Sequence, residues 1–218
     1  SSSAKSDTSL MSPLSPERAP QRSRSWIRGT TITLFGRHGS GGRVSPWRHT
    51  AGTLSGDADR PSGSPPPVTV FLIRHADALP RNEWAHDDLL RPLTEKGFGQ
   101  AQGLVDLLGG RGITRMLTSP AVRCRQTLDP LASHLGLVVE EAPALLEGTP
   151  VRRARALLDD LGDADVALCS HGDVIPDLVN HLIGEGMDAS GRDAKKGSTW
   201  VLTHDGRRFV RGQYLPAP

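Results

Sequence analysis

The sequence predicts an α/β fold with three layers, α/β/α, around a mostly parallel central sheet of about five to six strands. From residue 68 onward, apolar β-branched segments alternate with segments of helical periodicity. The segment VTVFLI at 68–73 is apolar except for Thr69, and VALC at 166–169 is apolar throughout, which is typical of strands buried on both faces of a parallel sheet. The 218 residues allow one domain with a substantial core.

Two helices are predicted in the first half of this region. The strand at 68–73 leads through a loop at 76–93 to a helix at about 95–108, with Thr94 as its N-cap. A strand at about 113–118 precedes a helix that extends to about 135, with Ser119 as N-cap and Pro120 at the first position. Helical spacing assigns these residues to the inner faces: Phe98, Ala101, Leu104, Val105, Leu108, Cys124, Leu128, Leu131 and Leu135.

The second half continues the alternation and ends in two strands. The predicted elements are a short strand near 137–140, a loop at 142–149, a helix at about 151–161, a strand at 165–170, a helix at about 174–184, and strands at about 199–204 and 208–213. The last helix directs Val174, Leu178, Val179 and Leu182 inward. We expect the last two strands to run antiparallel.

Residues 1–67 differ in composition from the rest, which leads us to divide the chain into an N-terminal extension and a domain at 68–218. The extension is rich in Ser, Arg, Pro and Gly and lacks periodicity, so we expect it to be disordered. A transit peptide, a bacterial N-terminal extension and an incorrectly assigned start all fit this pattern. The pair Arg37-His38 follows only a short apolar patch and is interpreted as chance.

Charge and cysteine content exclude several classes of protein. Residues 1–67 contain nine Lys/Arg and four Asp/Glu, a net charge of +5, whereas residues 68–218 contain 17 and 20, a net charge of −3. The domain therefore has no broad nucleic-acid footprint. No apolar run reaches the roughly 18–20 residues that span a bilayer. The chain has no CxxC and no metal-ligand spacing, so Cys124 and Cys169 are predicted to be core thiols in a reducing compartment. We expect a cytoplasmic monomer that uses no metal and no cofactor.

Four residues suited to phosphate follow three of the predicted strands. Arg74 and His75 end the first strand, Arg123 lies in the first turn of the helix after the second, and His171 follows the strand at 165–170. The carboxyl ends of parallel strands form the crevice in which such sheets bind ligands. We therefore predict that two histidines and two arginines converge on a phosphate group.

Each of these residues has a predicted role in phosphoryl transfer. His75 is the candidate nucleophile, if a backbone carbonyl fixes its second ring nitrogen. Arg74 and His171 would stabilise the charge that grows in the transition state. The guanidinium of Arg123 adds to the anion preference of a helix N-terminus, whereas Arg125, about 200° around the helix, is predicted to be exposed.

The general acid is the least determined part of the predicted site. Glu147, in the loop at 142–149, is the first candidate because a carboxyl there would protonate a leaving oxygen and then activate water. An exposed loop glutamate is the alternative interpretation. Asp173 is a rival acid, although we favour it as the cap of the helix at 174–184. Asp77, Asp87 and Asp88 lie on the loop after the nucleophile and could also rim the pocket, but we assign them no role.

The motifs LIRHADA, RPLTEKGFGQA, SPAVRCRQT, LLEG and CSHGDV occur in this order over about residues 68–213. This ordered set resembles the histidine phosphatase (phosphoglycerate mutase-like) superfamily, and its SixA-type phosphohistidine phosphatases in particular. The resemblance implies a metal-independent reaction through a phosphohistidine at His75, with a phosphate pocket of Arg74, Arg123 and His171 and with Glu147 as the acid. Ala76 departs from the glycine that usually follows the histidine.

A narrower likeness broadens the expected substrates. The segments RCRQTLDPLA, DVIPDLV and KGSTWVL resemble the histidine-phosphatase half of actinobacterial Nudix-type nucleotide-sanitising hydrolases. Protein phosphohistidine is our first expected substrate, and a nucleotide or other small phosphorylated metabolite is the alternative. A regulatory module that binds phosphate without turnover is a third possibility, against which the four intact residues argue. Trp84, Trp200 and Phe98 are expected near loops or edges.

Overall fold

The computed structural model describes residues 67–191 and 193–218, so the predictions for the N-terminal extension and for Arg37-His38 lie outside the described residues. The described strands are β1 (Val68–Arg74), β2 (Arg115–Thr118), β3 (Val139–Glu141), β4 (Val166–Ser170), β5 (Asp188–Ser190), β6 (Thr199–His204) and β7 (Phe209–Leu215). The described helices are α1 (Glu95–Leu108), α2 (Val122–Leu135), α3 (Val151–Asp159) and α4 (Val174–Gly184). One sheet contains these strands in the order β3-β2-β4-β1-β6-β7-β5.

The sheet is mostly parallel, as predicted. The pairs β1–β4, β2–β4, β2–β3 and β5–β7 are parallel, whereas β1–β6 and β6–β7 are antiparallel. The antiparallel arrangement of the last two strands is therefore confirmed. The sequence analysis missed β5, because its three residues Asp-Ala-Ser carry no apolar pattern and lie at an exposed edge.

Two large apolar cores, one on each face of the sheet, join the sheet to the helices on either side and so define three layers. Alternate residues of β1 point to opposite faces: Phe71 and Ile73 join the core under α1 and α2, and Val70 and Leu72 join the core under α3 and α4. Burial on both faces explains why β1 and β4 consist mainly of apolar residues up to their last positions. In the part of the chain that the structure describes, no helix is both long and apolar enough to cross a membrane.

Two local predictions are wrong, each for a physical reason. Phe98 is exposed because the buried stripe of α1 runs through Gly97 and Ala101 instead. The N-cap of α2 is Ala121 rather than Ser119, whose hydroxyl is used elsewhere in the structure. Trp200 is buried in the core beside a loop, since its indole N–H donates to the carbonyl of Asp193 in the loop before β6 over 2.8 Å.

The loop at 76–93 is fixed against the carboxyl edge of the sheet. It contains two 3₁₀ turns, Arg81–Glu83 and Asp88–Leu90, and a bridge between Ala78 and Leu93 closes it. Thr94 caps α1 as predicted, accepting from the N–H of Gly97 over 3.1 Å. Helix α1 comes so close to the loop that a Cβ at Gly97 would lie 1.9 Å from the carbonyl oxygen of Asp77.

Candidate active site

The register of the sheet brings the predicted site residues to one edge. Arg74, the last residue of β1, is paired with Ser170, the last residue of β4, and Thr118 of β2 is paired with Cys169. The next residue of each strand therefore emerges side by side with the others. His75 N–H donates to the carbonyl of Ser170 over 2.9 Å, so His75, His171 and Ser119 begin the crevice loops together.

One ring nitrogen of His75 is hydrogen-bonded, and the other has no hydrogen-bond partner among the described residues. Its Nδ1 lies 2.8 Å from the carbonyl oxygen of Ala76, and because that oxygen only accepts, Nδ1 carries the hydrogen and Nε2 carries the lone pair. The Ala76 N–H in turn donates to Oγ1 of Thr127 over 2.9 Å, which holds this segment in place. Burial lowers the pKa of His75 to about 3 despite the bond to Ala76, and the nearby charges of His171, Arg123 and Arg74 act in the same direction.

His171 lies edge-on to His75, with 5.3 Å between the ring centroids. Its Nδ1 is 3.3 Å from Nη2 of Arg123, and since a guanidinium only donates, Nδ1 is the accepting nitrogen. Its Nε2 then donates to Oγ of Ser119 over 2.8 Å. Both ring nitrogens are therefore engaged with protein groups, and Cys124 Sγ lies 3.6 Å from Nε2.

Arg123 is the largest buried polar side chain of the site, only 1% exposed. Its Nη1 donates to the backbone carbonyl of Asp88 over 2.8 Å, and its Nη2 donates to Oε2 of Glu147 over 2.9 Å. Its Nε is buried and has no hydrogen-bond partner among the described residues. Arg125 is exposed, as predicted from its position on the helix.

A cluster of arginines and carboxylates covers the outer side of Arg123. Glu147, 39% exposed, accepts through Oε2 from Arg123 and from Nη2 of Arg81, the latter over 2.6 Å. Asp88 accepts from Arg81 over 3.0 Å and from Arg91 over 2.8 Å. Burial opposes ionisation of Asp88, but the hydrogen bonds from Arg91 and Arg81 and the charge of Arg123 outweigh it and hold the pKa of Asp88 well below its usual range.

Arg74 directly precedes His75, and its charge lies close enough to the ring to lower the pKa of His75. Its Nη1 donates to the carbonyl of Ala194 over 2.6 Å. Its guanidinium packs against Gly172, where a Cβ would lie 2.5 Å from Cζ. The buried Nε has no partner among the residues described. The Nε–H of Arg74 is therefore a donor that no described residue uses.

The remaining acidic candidates have structural partners. Asp173 occupies the N-cap position of α4 but makes no side-chain cap bond, which corrects the predicted capping role; its Oδ2 instead accepts from the N–H of Gly148 over 2.7 Å. Asp77 accepts from Nζ of Lys196 over 2.8 Å and from the Thr94 hydroxyl over 2.8 Å. Asp87 caps the short turn that follows it, accepting from the N–H of Leu89.

Three residues of the site escaped the sequence analysis: Ser119 as a partner of His171, Thr127 and Arg81. Thr127 had a detectable signal, since it lies four residues after Arg123 and therefore on the same face of α2. Arg81 had none, because a 3₁₀ turn in a long loop determines where it lies. Asp88, named as a residue that could rim the pocket but given no role, accepts from Arg81 and Arg91. The thiols of Cys124 and Cys169 are free and buried, as predicted. Within residues 67–191 and 193–218, no group of three or more His, Cys, Asp or Glu side chains is arranged to hold a metal ion.

Comparison with known proteins identifies the class to which this fold and site belong. Residues 70–149 match the profile of the Histidine phosphatase superfamily (branch 1). The chain is 36% identical over 126 residues to phosphohistidine phosphatase SixA of Escherichia coli, covering 54% of this chain and 73% of that protein. A solved structure of the protein histidine phosphatase SixA complexed with tungstate superposes with a TM-score of 0.55 at 28% identity, covering 68% of this chain and 95% of the other.

The chain belongs to the histidine phosphatase superfamily, and its similarities place it with the SixA-type branch. It is therefore an enzyme of the phosphatase class, a hydrolase that acts on phosphoric bonds. It is also 34% identical over 158 residues to an 8-oxo-(d)GTP phosphatase of Mycolicibacterium smegmatis, covering 69% of this chain. The chain spans about half the length of that mycobacterial relative, 48%.

Proposed function

We propose that the protein hydrolyses phosphorylated substrates through a covalent phosphohistidine at His75. The observation that carries this proposal is the hydrogen bond from Nδ1 to the carbonyl of Ala76, which leaves the Nε2 lone pair free at the carboxyl edge of the sheet. In the first step Nε2 bonds to phosphorus, and the bond from phosphorus to the leaving group breaks. In the second step water attacks the same phosphorus and the Nε2–P bond breaks, which releases phosphate and restores the imidazole.

The charged neighbours of His75 suit the transition state of this transfer. The charges of Arg74 and Arg123 both act on His75, and each of these arginines has a buried Nε without a partner among the described residues. Fixed cations in a water-poor crevice stabilise the charge that spreads over the phosphoryl oxygens. We infer that these oxygens take over donors of Arg123 that now bond to Asp88 and Glu147, and that His171 is oriented for its role by Arg123 and Ser119.

Protein phosphohistidine is the substrate we favour. A leaving imidazole is basic enough to accept a proton from water or a weak acid, so the first step needs no strong proton donor. This requirement suits Glu147, whose carboxylate already accepts from Arg123 and Arg81. Similarity to SixA of Escherichia coli, over 73% of that protein's length, supports the same substrate class.

A small phosphorylated metabolite, in particular a nucleotide, is the second candidate. The similarity to the mycobacterial 8-oxo-(d)GTP phosphatase supports it, although this chain covers only 48% of that relative. In this case the leaving group is an oxygen, and the requirement for Glu147 as proton donor depends on how basic that oxygen is.

Phosphate release by the full chain and by its His75→Ala variant tests the proposed function. The substrates are p-nitrophenyl phosphate, phosphoramidate, a phosphohistidine protein and a nucleoside diphosphate. We expect release that is lost in His75→Ala, together with an acid-labile phosphoenzyme that the variant does not form. The His134→Ala variant, which removes an exposed histidine of α2, is the matched control. Activity that survives in His75→Ala contradicts the nucleophile, and no release on any substrate favours a module that only binds phosphate.

A further inference from the structure

We propose that a pocket beside Arg74 binds a second phosphate group of the substrate, next to the group that is transferred. Lys96, Lys195 and Lys196 line this pocket together with Arg74, Asp77 and Gln100. The proposal rests on the proposed function with its second candidate substrate, a nucleotide or other small phosphorylated metabolite, because it assigns the phosphoryl group that reacts to His75. It goes further because it assigns the leaving group of the substrate to a second set of residues, the three lysines of this pocket.

The distribution of lysine in the chain is the first argument. The sequence contains 22 arginines but only four lysines, at positions 5, 96, 195 and 196. The three lysines among the described residues come from α1 and from the loop before β6, far apart in sequence, and all three line one pocket of about 370 Å³. Lysine is a point-charge ligand for phosphate, whereas six arginines of the described part, Arg91, Arg115 and Arg123 among them, form ion pairs with carboxylates.

The charge balance of the pocket is the second argument. Four cationic side chains and one carboxylate, Asp77, line it. A hydrogen bond from Lys196 holds the pKa of Asp77 below its usual range, so the pair is ionic. Lys195 pairs with Asp193 only at the exposed surface, and Lys96 forms no ion pair with any residue of the described part. The pocket therefore has an excess of positive charge that is available to an anion.

The pocket is also joined to the nucleophile by the backbone. Gly197 N–H, directly after Lys196, lies 3.2 Å from the carbonyl oxygens of both Arg74 and His75. Gln100 links the loop at 76–93 to the loop before β6. Its Oε1 accepts from the N–H of Asp77, and its Nε2 donates to the carbonyl of Lys196. The lysine-bearing loop is therefore fixed relative to the reacting ring, and Arg74, which directly precedes His75 in the chain, is itself one of the residues that line the pocket.

A phosphate in this pocket explains why the site needs no strong acid. When Nε2 of His75 bonds to the terminal phosphorus, the bridging P–O bond breaks and its electron pair stays on the second phosphate. A phosphate oxyanion is a stable leaving group, and the lysines stabilise the charge it gains. Water then releases the first phosphate from His75, so one diphosphate and one water give two phosphates, or a phosphate and a monoester. Glu147 is not needed as a proton donor in this step.

The test compares inorganic phosphate with inorganic diphosphate as inhibitors of p-nitrophenyl phosphate hydrolysis by the full chain. We expect the inhibition constant of diphosphate to be at least about ten-fold lower than that of phosphate, since a second anion engages the lysines. In the double variant Lys96→Ala/Lys195→Ala, whose two side chains are exposed, this ratio falls to within about three-fold. The Arg152→Ala variant, which removes an exposed cation from α3, retains the wild-type ratio.

Titration calorimetry of diphosphate with His75→Ala separates the two proposals, because it detects the pocket without turnover. Tight binding that the two lysine substitutions abolish supports the pocket, even if the nucleophile is another residue. Equal affinity for phosphate and diphosphate, or a ratio that survives the double variant, overturns the pocket. Stronger, lysine-dependent inhibition by an acidic peptide than by diphosphate also overturns it and assigns the lysines to a polypeptide.

Discussion

Gly172 and Arg74 share a space that a single methyl group would fill. A Cβ at Gly172 would lie 2.5 Å from Cζ of Arg74 and 2.6 Å from its Nη2. Gly172 directly follows His171, so the residue that turns the chain away from β4 also determines where the guanidinium lies. The absence of a side chain at position 172 therefore lets the guanidinium of Arg74 lie against the residue that follows His171.

We predict that Gly172→Ala lowers kcat/KM while leaving the stability of the fold nearly unchanged. The guanidinium is the flexible end of its side chain, so it moves away from the methyl group at little cost in free energy. A displaced cation loses its alignment with the phosphoryl oxygens, which costs on the order of 10- to 100-fold in rate. Steady-state kinetics and thermal unfolding check both parts.

Gly99→Ala is the control for that substitution. Gly99 lies on α1, and a Cβ there meets nothing within 4 Å, so the variant should retain full activity and gain slightly in helix stability. A Gly172→Ala enzyme with wild-type kinetics contradicts the contact between Gly172 and Arg74 as a requirement for catalysis.

Arg123 and Arg125 form a matched pair for a second prediction. They are two positions apart on α2, but the first is buried in the site and the second is exposed. We expect Arg123→Ala to lower kcat/KM by about 100-fold or more, because a buried donor to the transferring group is removed. The change for Arg125→Ala should stay within about two-fold, since its ion pairs are long and solvated. Similar losses in the two variants contradict the placement of Arg123 in the pocket.

The sequence predicted the parts of the site that follow from strand ends. Because β1 and β4 consist mainly of apolar residues up to their last positions, their last residues are unambiguous, and His75 and His171 could be placed at one edge of the sheet without a structure. Periodicity also separated Arg123 from Arg125. The pattern carries no such information for Ser119, because a serine before proline at a helix start reads as a cap, whereas here its hydroxyl faces His171.

Contacts made by loops were beyond prediction. The position of Asp88 depends on a 3₁₀ turn whose residues, Asp-Leu-Leu, show no periodicity. Lys196 lies 119 residues from Asp77 along the chain, and only the antiparallel pairing of β6 with β1 brings the two side chains together. For the same reason, the pocket lined by lysines could not be recognised before the sheet order was known.

Glu147→Gln should distinguish substrates by their leaving groups. If Glu147 releases its arginines and donates a proton, the variant slows hydrolysis of an alkyl phosphate monoester by about 100-fold and of phosphoramidate by less than about ten-fold. The amide retains the shape of the carboxyl group but cannot supply the acid. Rates of both substrates, with Glu140→Gln as an exposed control remote from His75, check this expectation. Equal effects on both substrates would leave Glu147 only as a partner of Arg123.

The low pKa of His75 predicts a pH dependence of stability. Burial lowers this pKa from 6.5 to about 3 in the folded protein, so between these values the unfolded chain binds a proton that the folded protein does not. Unfolding is then favoured as the pH falls, and the free energy of unfolding should decrease by up to about 1.4 kcal/mol per pH unit through this one group. Above pH 6.5 the contribution is constant, because the ring is neutral in both states.

His75→Gln removes this contribution, because glutamine does not titrate. Urea unfolding at pH 4.5, 5.5, 6.5 and 7.5 should give a shallower loss of stability at acid pH for the variant than for the wild type, whatever their difference at pH 7.5. His134→Gln, at an exposed position, should keep the wild-type slope. Parallel curves for the wild type and His75→Gln would mean that His75 gains its proton near the ordinary pKa, and the nucleophile would then be largely protonated at pH 5 instead of neutral.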